Sequence, residues 1–404
     1  MADTDSRFLS SIHLKGLLSF GPESPEIPLT ALNVLIGPNA SGKSNLIESF
    51  ELLRATPTDL TEVIRAGGGV TEWLWKGERD VSGGARAELA AVVTGREPWP
   101  ELRYRLEFSL SGQRLEITDE ALEETKPRSP GDNDVYFYYR FRRGRPVINT
   151  RPSGDGAERE VRELRRESFD PHQSVFSQRR DLDLYPELTV VGAAFAHVLT
   201  FREWSFGRTA LLRQGQPADL PDEALLPDVR NLGLALNKIE HGDRWPELNS
   251  YLHRFLPRFN RLTTRVKDGS VQIYLHETGL QTPIPAPRLS DGTIRFIALL
   301  AILLDPGIAP LICLEEPELG LHPDAIALIA ELLVEASRRK QLVVTTHSDA
   351  LVSALSGHAE SVLVSEWSMA GTVMRRLETD KLRFWLEKYR LGEIWRMGEL
   401  GGNP

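Results

Sequence analysis

The octapeptide Gly37-Pro-Asn-Ala-Ser-Gly-Lys-Ser44 has the spacing G-x-x-x-x-G-K-[ST]. Glycines at both ends of such a loop let successive backbone N–H groups turn toward one polyphosphate, and a following helix adds the positive end of its dipole. The loop therefore predicts nucleotide contacts from Gly37, Pro38, Asn39, Ala40, Ser41, Gly42, Lys43, Ser44 and Asn45. Lys43 would reach the β- and γ-phosphates, and the Ser44 hydroxyl would join a Mg2+ shell. Carboxylates for that metal lie at the end of Leu311-Ile-Cys-Leu-Glu-Glu-Pro-Glu318. Glu315 is placed to hold Mg2+, and Glu316 to orient or deprotonate the attacking water. Upstream, Leu289-Ser-Asp-Gly292 opens an apolar stretch, with Ser290 standing 26 residues before Glu316. A Ser hydroxyl and a Gly-exposed helix start form a second phosphate-binding surface, so Ser290 and Gly292 are further nucleotide candidates. His347, in Leu342-Val-Val-Thr-Thr-His-Ser348, follows 31 residues after Glu316 at an expected strand end.

These groups need rigid supports, and the flanking sequence supplies them. Leu32–Ile36 reads as a buried strand before the loop, and Leu46, Ile47, Phe50 and Leu53 recur at helical spacing after it. The last third alternates: helix Thr293–Leu304, strand Leu311–Leu314, helix Asp324–Arg339, strand Leu342–Thr346. Alternation of this kind predicts an α/β fold with crossover helices. Ala85–Ile148 reads as short antiparallel strands, and Glu158–Thr263 mainly as helices. Arg265–Leu275 reads as a hairpin turning at Lys267-Asp-Gly-Ser270. The polar stretches Lys126–Asp134 and Arg151–Gly156 are the expected mobile loops.

Phosphate loop, signature, acidic strand and strand-end His, in that order, form the arrangement of ABC-type ATPases. Asn237-Lys-Ile-Glu240 only imitates a GTPase base-recognition motif, because Glu replaces Asp and the neighbourhood is helical. Composition limits other readings. The chain has 404 residues and a formal charge of −9, so whole-molecule attraction to nucleic acid or anionic lipid is not expected. Its longest apolar run, Phe296–Leu304, is too short to span a bilayer as a helix, and one cysteine cannot form an internal disulfide. With no signal peptide evident, a cytoplasmic location is expected.

On these motifs the chain resembles bacterial AAA/ABC-like ATPases related to RecF and SMC head domains. Ile12–Phe20, the Gly67-Gly-Gly…Glu72-Trp-Leu-Trp-Lys-Gly77 segment and the tail from Leu391 carry the resemblance beyond the motifs. It implies one ABC-type ATPase head, with a mixed core sheet, an antiparallel β subdomain and a helical lobe. Residues 1–80 would hold the phosphate loop, 81–150 the antiparallel region, 151–288 a mainly helical insertion, and 289–404 the signature, acidic strand, His and tail. The resemblance also implies a homodimer in which ATP on Lys43 and Ser44 of one subunit is capped by Ser290 and Gly292 of the other. It further implies a Gln that contacts Mg2+ or the lytic water, assigned to Gln178 with Gln173 in reserve. Glu318–Pro323 resembles the segment that communicates across such dimers. Ala40, where many relatives have Gly, and Glu315, in place of the usual Asp, depart from the pattern.

The biological setting implied is DNA repair, genome maintenance or antiphage defence. One local feature supports DNA as a partner. Tyr136–Arg180 holds 11 Arg against 6 acidic residues, with Arg140, Arg142, Arg143 and Arg145 among aromatics that could stack on bases or simply fill a core. The alternative is an ATP-gated module that controls a separate effector protein without touching DNA. No membrane contact is expected, and the separation of 247 positions from Lys43 to Ser290 disfavours a transporter subunit.

Overall fold

A computed structural model describes residues 6–78, 85–96, 98–131, 134–142, 145–150, 160–165, 169–202, 205–221, 224–307 and 309–402. The chain forms two compact units and passes between them repeatedly. One comprises Met1–Val198, Glu360–Glu378 and Leu400–Pro404, the other Leu199–Ala359 and Thr379–Glu399.

In the first unit, β1 (Leu9–Lys15), β2 (Ile27–Pro28) and β3 (Leu32–Ile36) precede helix α1 (Lys43–Ala55), α2 (Leu60–Ala66) and α3 (Val70–Trp73). Strands β4 (Arg86–Val93), β5 (Leu102–Ser111), β6 (Arg114–Glu124), β7 (Phe137–Arg142), β8 (Arg145–Thr150) and β9 (Glu160–Glu163) follow, then α4 (Val175–Gln178) and α5 (Pro186–Ala196). An eight-stranded antiparallel sheet runs β2-β1-β4-β5-β6-β7-β8-β9. β5 shows why it forms: Leu102, Tyr104, Leu106 and Phe108 alternate inward, the period of a half-buried strand. The sheet is larger than residues 81–150 suggested, because β1 pairs with β4. α2 and α5 pack on α1.

The second unit begins with β10 (Leu199–Phe201), β11 (Gln216–Pro217), α6 (Leu232–Glu240), α7 (Trp245–Phe255), β12 (Phe259–Lys267), β13 (Ser270–Glu277) and β14 (Ile284–Pro285). Then come α8 (Asp291–Leu304), β15 (Leu311–Glu315), α9 (Pro323–Ser337), β16 (Gln341–Thr345) and α10 (Asp349–Ala354). The chain returns to the first unit for β17 (Val362–Ser368) and β18 (Gly371–Arg376), and ends in the second with α11 (Thr379–Leu386) and α12 (Leu391–Arg396). Here β10, β15 and β16 are parallel neighbours. In the first unit β3 pairs in parallel with β17, which turns back on β18.

The segment expected to be mainly helical contains strands. β9, β10 and β11 lie inside it, and β10 contributes to the parallel core beside β15. Three residues are too few for a period to register, so only pairing reveals this strand. The hairpin around Lys267 is present and extends to Phe259 and Glu277. The GTPase-like Asn237-Lys-Ile-Glu240 is helical, as expected. The long apolar run is part of a core helix: α8 is buried throughout from Thr293 to Leu304, which is why Phe296–Leu304 is apolar on every side. Among the described residues, no helix is long and apolar enough to cross a membrane. Arg151–Gly156 lies outside the described residues.

Candidate active site

The phosphate half belongs to the first unit. All five residues of β3 are buried, which fixes where the loop begins. Gly37 has φ +146°, and a Cβ there would sit 2.3 Å from the Ser365 carbonyl oxygen. Gly42 has φ +99°, and its Cβ would meet Thr372 Oγ1 at 2.3 Å. Both glycines are therefore required by backbone conformation and by close approach. The loop is tied from beneath: Ser365 Oγ and Thr372 Oγ1 donate to the Ser41 carbonyl at 2.8 and 3.0 Å. Ser19 and Thr372 share a further hydroxyl bond of 2.7 Å. Lys43 is buried, with Nζ donating to Gly37 O and Pro38 O at 2.8 and 2.9 Å, so its charge lies over the loop.

Two observations show that this half fits a polyphosphate. α1 is 13 residues long and has no side-chain cap at its N-terminus, where the positive end of its dipole favours an anion. The Ser41 hydroxyl is buried without a hydrogen-bond partner. A buried polar group in that state calls for one.

The acidic half belongs to the second unit. β15 lies between β10 and β16 and delivers Glu315 opposite Thr345. Arg202, just beyond β10, places Nε 3.2 Å from Glu315 Oε2. Glu316 has φ +46°, a left-handed backbone that a glutamate adopts at a cost of about 1–2 kcal/mol. Its N–H is fixed by the Thr345 carbonyl at 3.1 Å. The conformation brings Glu316 Oε1 within 3.6 Å of His347 Nε2, both side chains about one-third exposed. Two residues singled out 31 positions apart in sequence thus meet. Among the described residues, no three His, Cys, Asp or Glu side chains cluster as a metal site. Mg2+ needs no such cluster, since the ion takes one or two protein carboxylates and keeps water.

Ser290 caps α8, its Oγ accepting from Thr293 N at 3.1 Å. Buried Arg213 braces the approach to it, with Nε donating to Phe206 O at 2.7 Å and Nη1 to Ala286 O and Leu289 O at 3.1 and 2.6 Å. Its Nη2 pairs with the Asp291 carboxylate.

Gln178, at the end of α4, spends its amide locally. Nε2 donates to Asp170 O and Gln173 O at 3.0 and 2.7 Å, and Oε1 accepts from Asp170 N at 2.8 Å. Gln173 braces the start of α2, donating to Asp59 at 2.7 Å and accepting from Leu60 N at 3.1 Å.

Of the four arginines Arg140, Arg142, Arg143 and Arg145, the first and last have described side chains, and both have acidic partners. Arg140 pairs with Glu123 at 2.7 Å and with Asp134 at 2.6 Å, and Arg145 lies 3.5 Å from Glu163. Arg143 lies outside the described residues, as does the side chain of Arg142. Of the aromatics beside them, Tyr138 and Tyr139 are buried. They are core residues and offer bases no face.

Residues 32–353 match the family described as "AAA domain, putative AbiEii toxin, Type IV TA system". The chain belongs to this family. It is an AAA/ABC-like ATPase, and two solved structures share its fold: an SmcHead bound to the C-winged helix domain of ScpA, and an Smc head with an extended coiled coil bound to the C-terminal domain of ScpA derived from Pyrococcus furiosus. The first aligns with a TM-score of 0.57 at 13% identity, covering 93% of this chain and 99% of that one. The second gives 0.55 at 12%, covering 94% and 99%. Among curated proteins, the Old nuclease of Escherichia phage P2 is 27% identical over 165 residues, 37% of this chain and 27% of that protein. The match therefore spans about a quarter of that nuclease.

Several supports of the site escaped sequence reasoning. Ser19, Ser365, Thr372, Arg202 and Arg213 carry no spacing signal, because each acts on a loop far away in the chain.

Proposed function

We propose that the chain hydrolyses ATP with Mg2+ and dimerises on the nucleotide. The observation that carries the hydrolytic reading is the left-handed Glu316 held beside His347, since backbone strain at a strand-end carboxylate is retained where geometry serves chemistry. The amides of residues 37–44 and Lys43 bind the polyphosphate. Ser44 and Glu315 would hold Mg2+, which when bound offsets the phosphate charge and supplies electrophilic assistance. Glu316 accepts the proton of the attacking water, and His347 orients Glu316 and approaches the γ-phosphate. Gln178 would serve the metal or water only by leaving the bonds it makes to residues 170–174.

Gly292 supports the dimer. It sits in ordinary helix, and a Cβ there would have room, its nearest neighbours being Gly320 O at 3.6 Å and Leu321 Cδ2 at 3.7 Å. The chain itself does not require glycine at 292, whereas close approach by a second subunit's nucleotide does. Ser290, exposed at the same helix start, would share that contact.

The biological role follows as defence or genome maintenance, from the family's description and from the phage nuclease among its relatives. Arg140, already held by two carboxylates, favours the form in which ATP gates a separate effector over one in which this strand binds DNA.

Glu316→Gln should lower ATP turnover by roughly 10²- to 10⁴-fold while retaining nucleotide, because binding survives loss of the base. Light scattering with ATP and Mg2+ should then show a dimer, lost again when Ser290→Arg is added. Full turnover by Glu316→Gln removes that residue from its role, and a monomer at saturating ATP removes the dimer.

A further inference from the structure

Glu318 is the third carboxylate of the Glu-Glu-Pro-Glu run, and the reaction as described does not use it. It is 9% exposed. Burial pushes its carboxyl above the usual carboxylate range. Oε1 accepts from the Thr346 hydroxyl, while Oε2 is buried with no hydrogen-bond partner. A buried carboxylate half satisfied in this way is costly, and an apolar side chain of similar size would avoid the cost.

What the carboxylate touches shows what it does. Thr346 is fully buried, and its Oγ1 accepts from Ser348 N at 2.9 Å while donating to Glu318. The hydroxyl therefore spans the residue between, which is His347. The His347 backbone amide also favours the ionised form of the Glu318 carboxylate. On the other side of Pro317, Glu316 N donates to Thr345 O at 3.1 Å. The acidic turn and the Thr-Thr-His loop are thus joined twice, once before the proline through backbone and once after it through the Glu318 side chain. Arg295, buried on α8, feels the Glu318 charge as a stabilising partner, so the signature helix contributes to the same cluster.

We infer that Glu318 is a positioning residue for His347. Acting through Thr346, it fixes residues 346–348 so that the imidazole stands 3.6 Å from Glu316 Oε1. The inference rests on the reading that Glu316 and His347 carry hydrolysis. In this role Glu318 acts through Thr346 and not on the nucleotide.

The test compares Glu318→Ala, Thr346→Val, their double variant and Thr346→Ser, by steady-state ATP hydrolysis and by equilibrium binding of a fluorescent ATP analogue. Glu318→Ala and Thr346→Val should each lower kcat by roughly 10- to 100-fold, the scale of a misplaced reacting group. KM and analogue affinity should stay within about twofold, because the phosphate loop is untouched. Thr346→Ser keeps the hydroxyl and should restore turnover. The double variant should be no slower than the slower single, since both remove one link. Wild-type kcat in Thr346→Val, no recovery in Thr346→Ser, or fully multiplicative losses in the double variant would overturn the inference. Should Glu318→Ala lose its thermal transition, the two Thr346 variants decide alone. Glu316→Gln is run alongside: full turnover there sinks the hydrolytic reading itself, whatever Glu318 does.

Discussion

Ala40 holds φ +60° in the exposed part of the phosphate loop, where an L-residue pays about 1–2 kcal/mol for left-handed backbone. Glycine removes that strain and loses about 0.5–1 kcal/mol of unfolded-chain entropy. Ala40→Gly should therefore raise stability by up to about 1 kcal/mol with ATP affinity kept, read as an upward shift in Tm. An unchanged or lower Tm would mean that the loop relaxes around alanine. The departure at position 40 was visible in the sequence, and its cost was not, because φ is set by the loop as a whole. The same division holds elsewhere. Lys43, Ser44, Glu315, Glu316 and His347 could be named because each sits at a fixed spacing within a local motif. Ser365 and Thr372 could not, since a hydroxyl that bonds a carbonyl more than three hundred positions away leaves no local pattern. The 3.6 Å approach of His347 to Glu316 needed the pairing of β15 with β16, which motif order implied without giving a distance.

Among elements, α4 shows how a four-residue helix is held. Ser174 caps it, and the fully buried Glu120 on β6 accepts from Val175 N at 2.9 Å, from Tyr104 Oη at 2.7 Å and from the Ser174 hydroxyl. Burial pushes the Glu120 carboxyl up to about 7, against those hydrogen bonds. Because the folded state holds this proton more tightly than the unfolded chain, the group's contribution is complete below an ordinary glutamate pKa. It falls as pH rises toward about 7 and changes little above it. The stability of wild type relative to Glu120→Gln should thus drop by up to about 3 kcal/mol between pH 4.5 and 8 in denaturant titrations. A difference independent of pH would show that the carboxyl titrates normally. Element types were legible where a period could run, as in β5 and α1. They were not legible at β10, whose three residues join the core by pairing alone, nor at Arg140, whose charge is met by Glu123 and Asp134 from neighbouring segments.

For the whole molecule, chain order matters as much as contact. The first unit gathers residues from the beginning, from Glu360–Glu378 and from the last few positions, so its phosphate loop is made early and anchored late. Ser365 and Thr372 reach Ser41 across 324 and 331 positions. On a ribosome adding about 5–20 residues per second, this gap lasts roughly 15–70 s. Throughout that interval the nascent chain carries a complete phosphate-binding sequence with no floor beneath it. Stalled chains of increasing length should begin to retain an immobilised ATP analogue only after Thr372 has emerged, and retention by shorter chains would show that the loop stands unaided. If retention does begin there, nucleotide cannot assist the early stages of folding, and the chain stays clear of the cell's ATP until the strands that carry Ser365 and Thr372 have been translated.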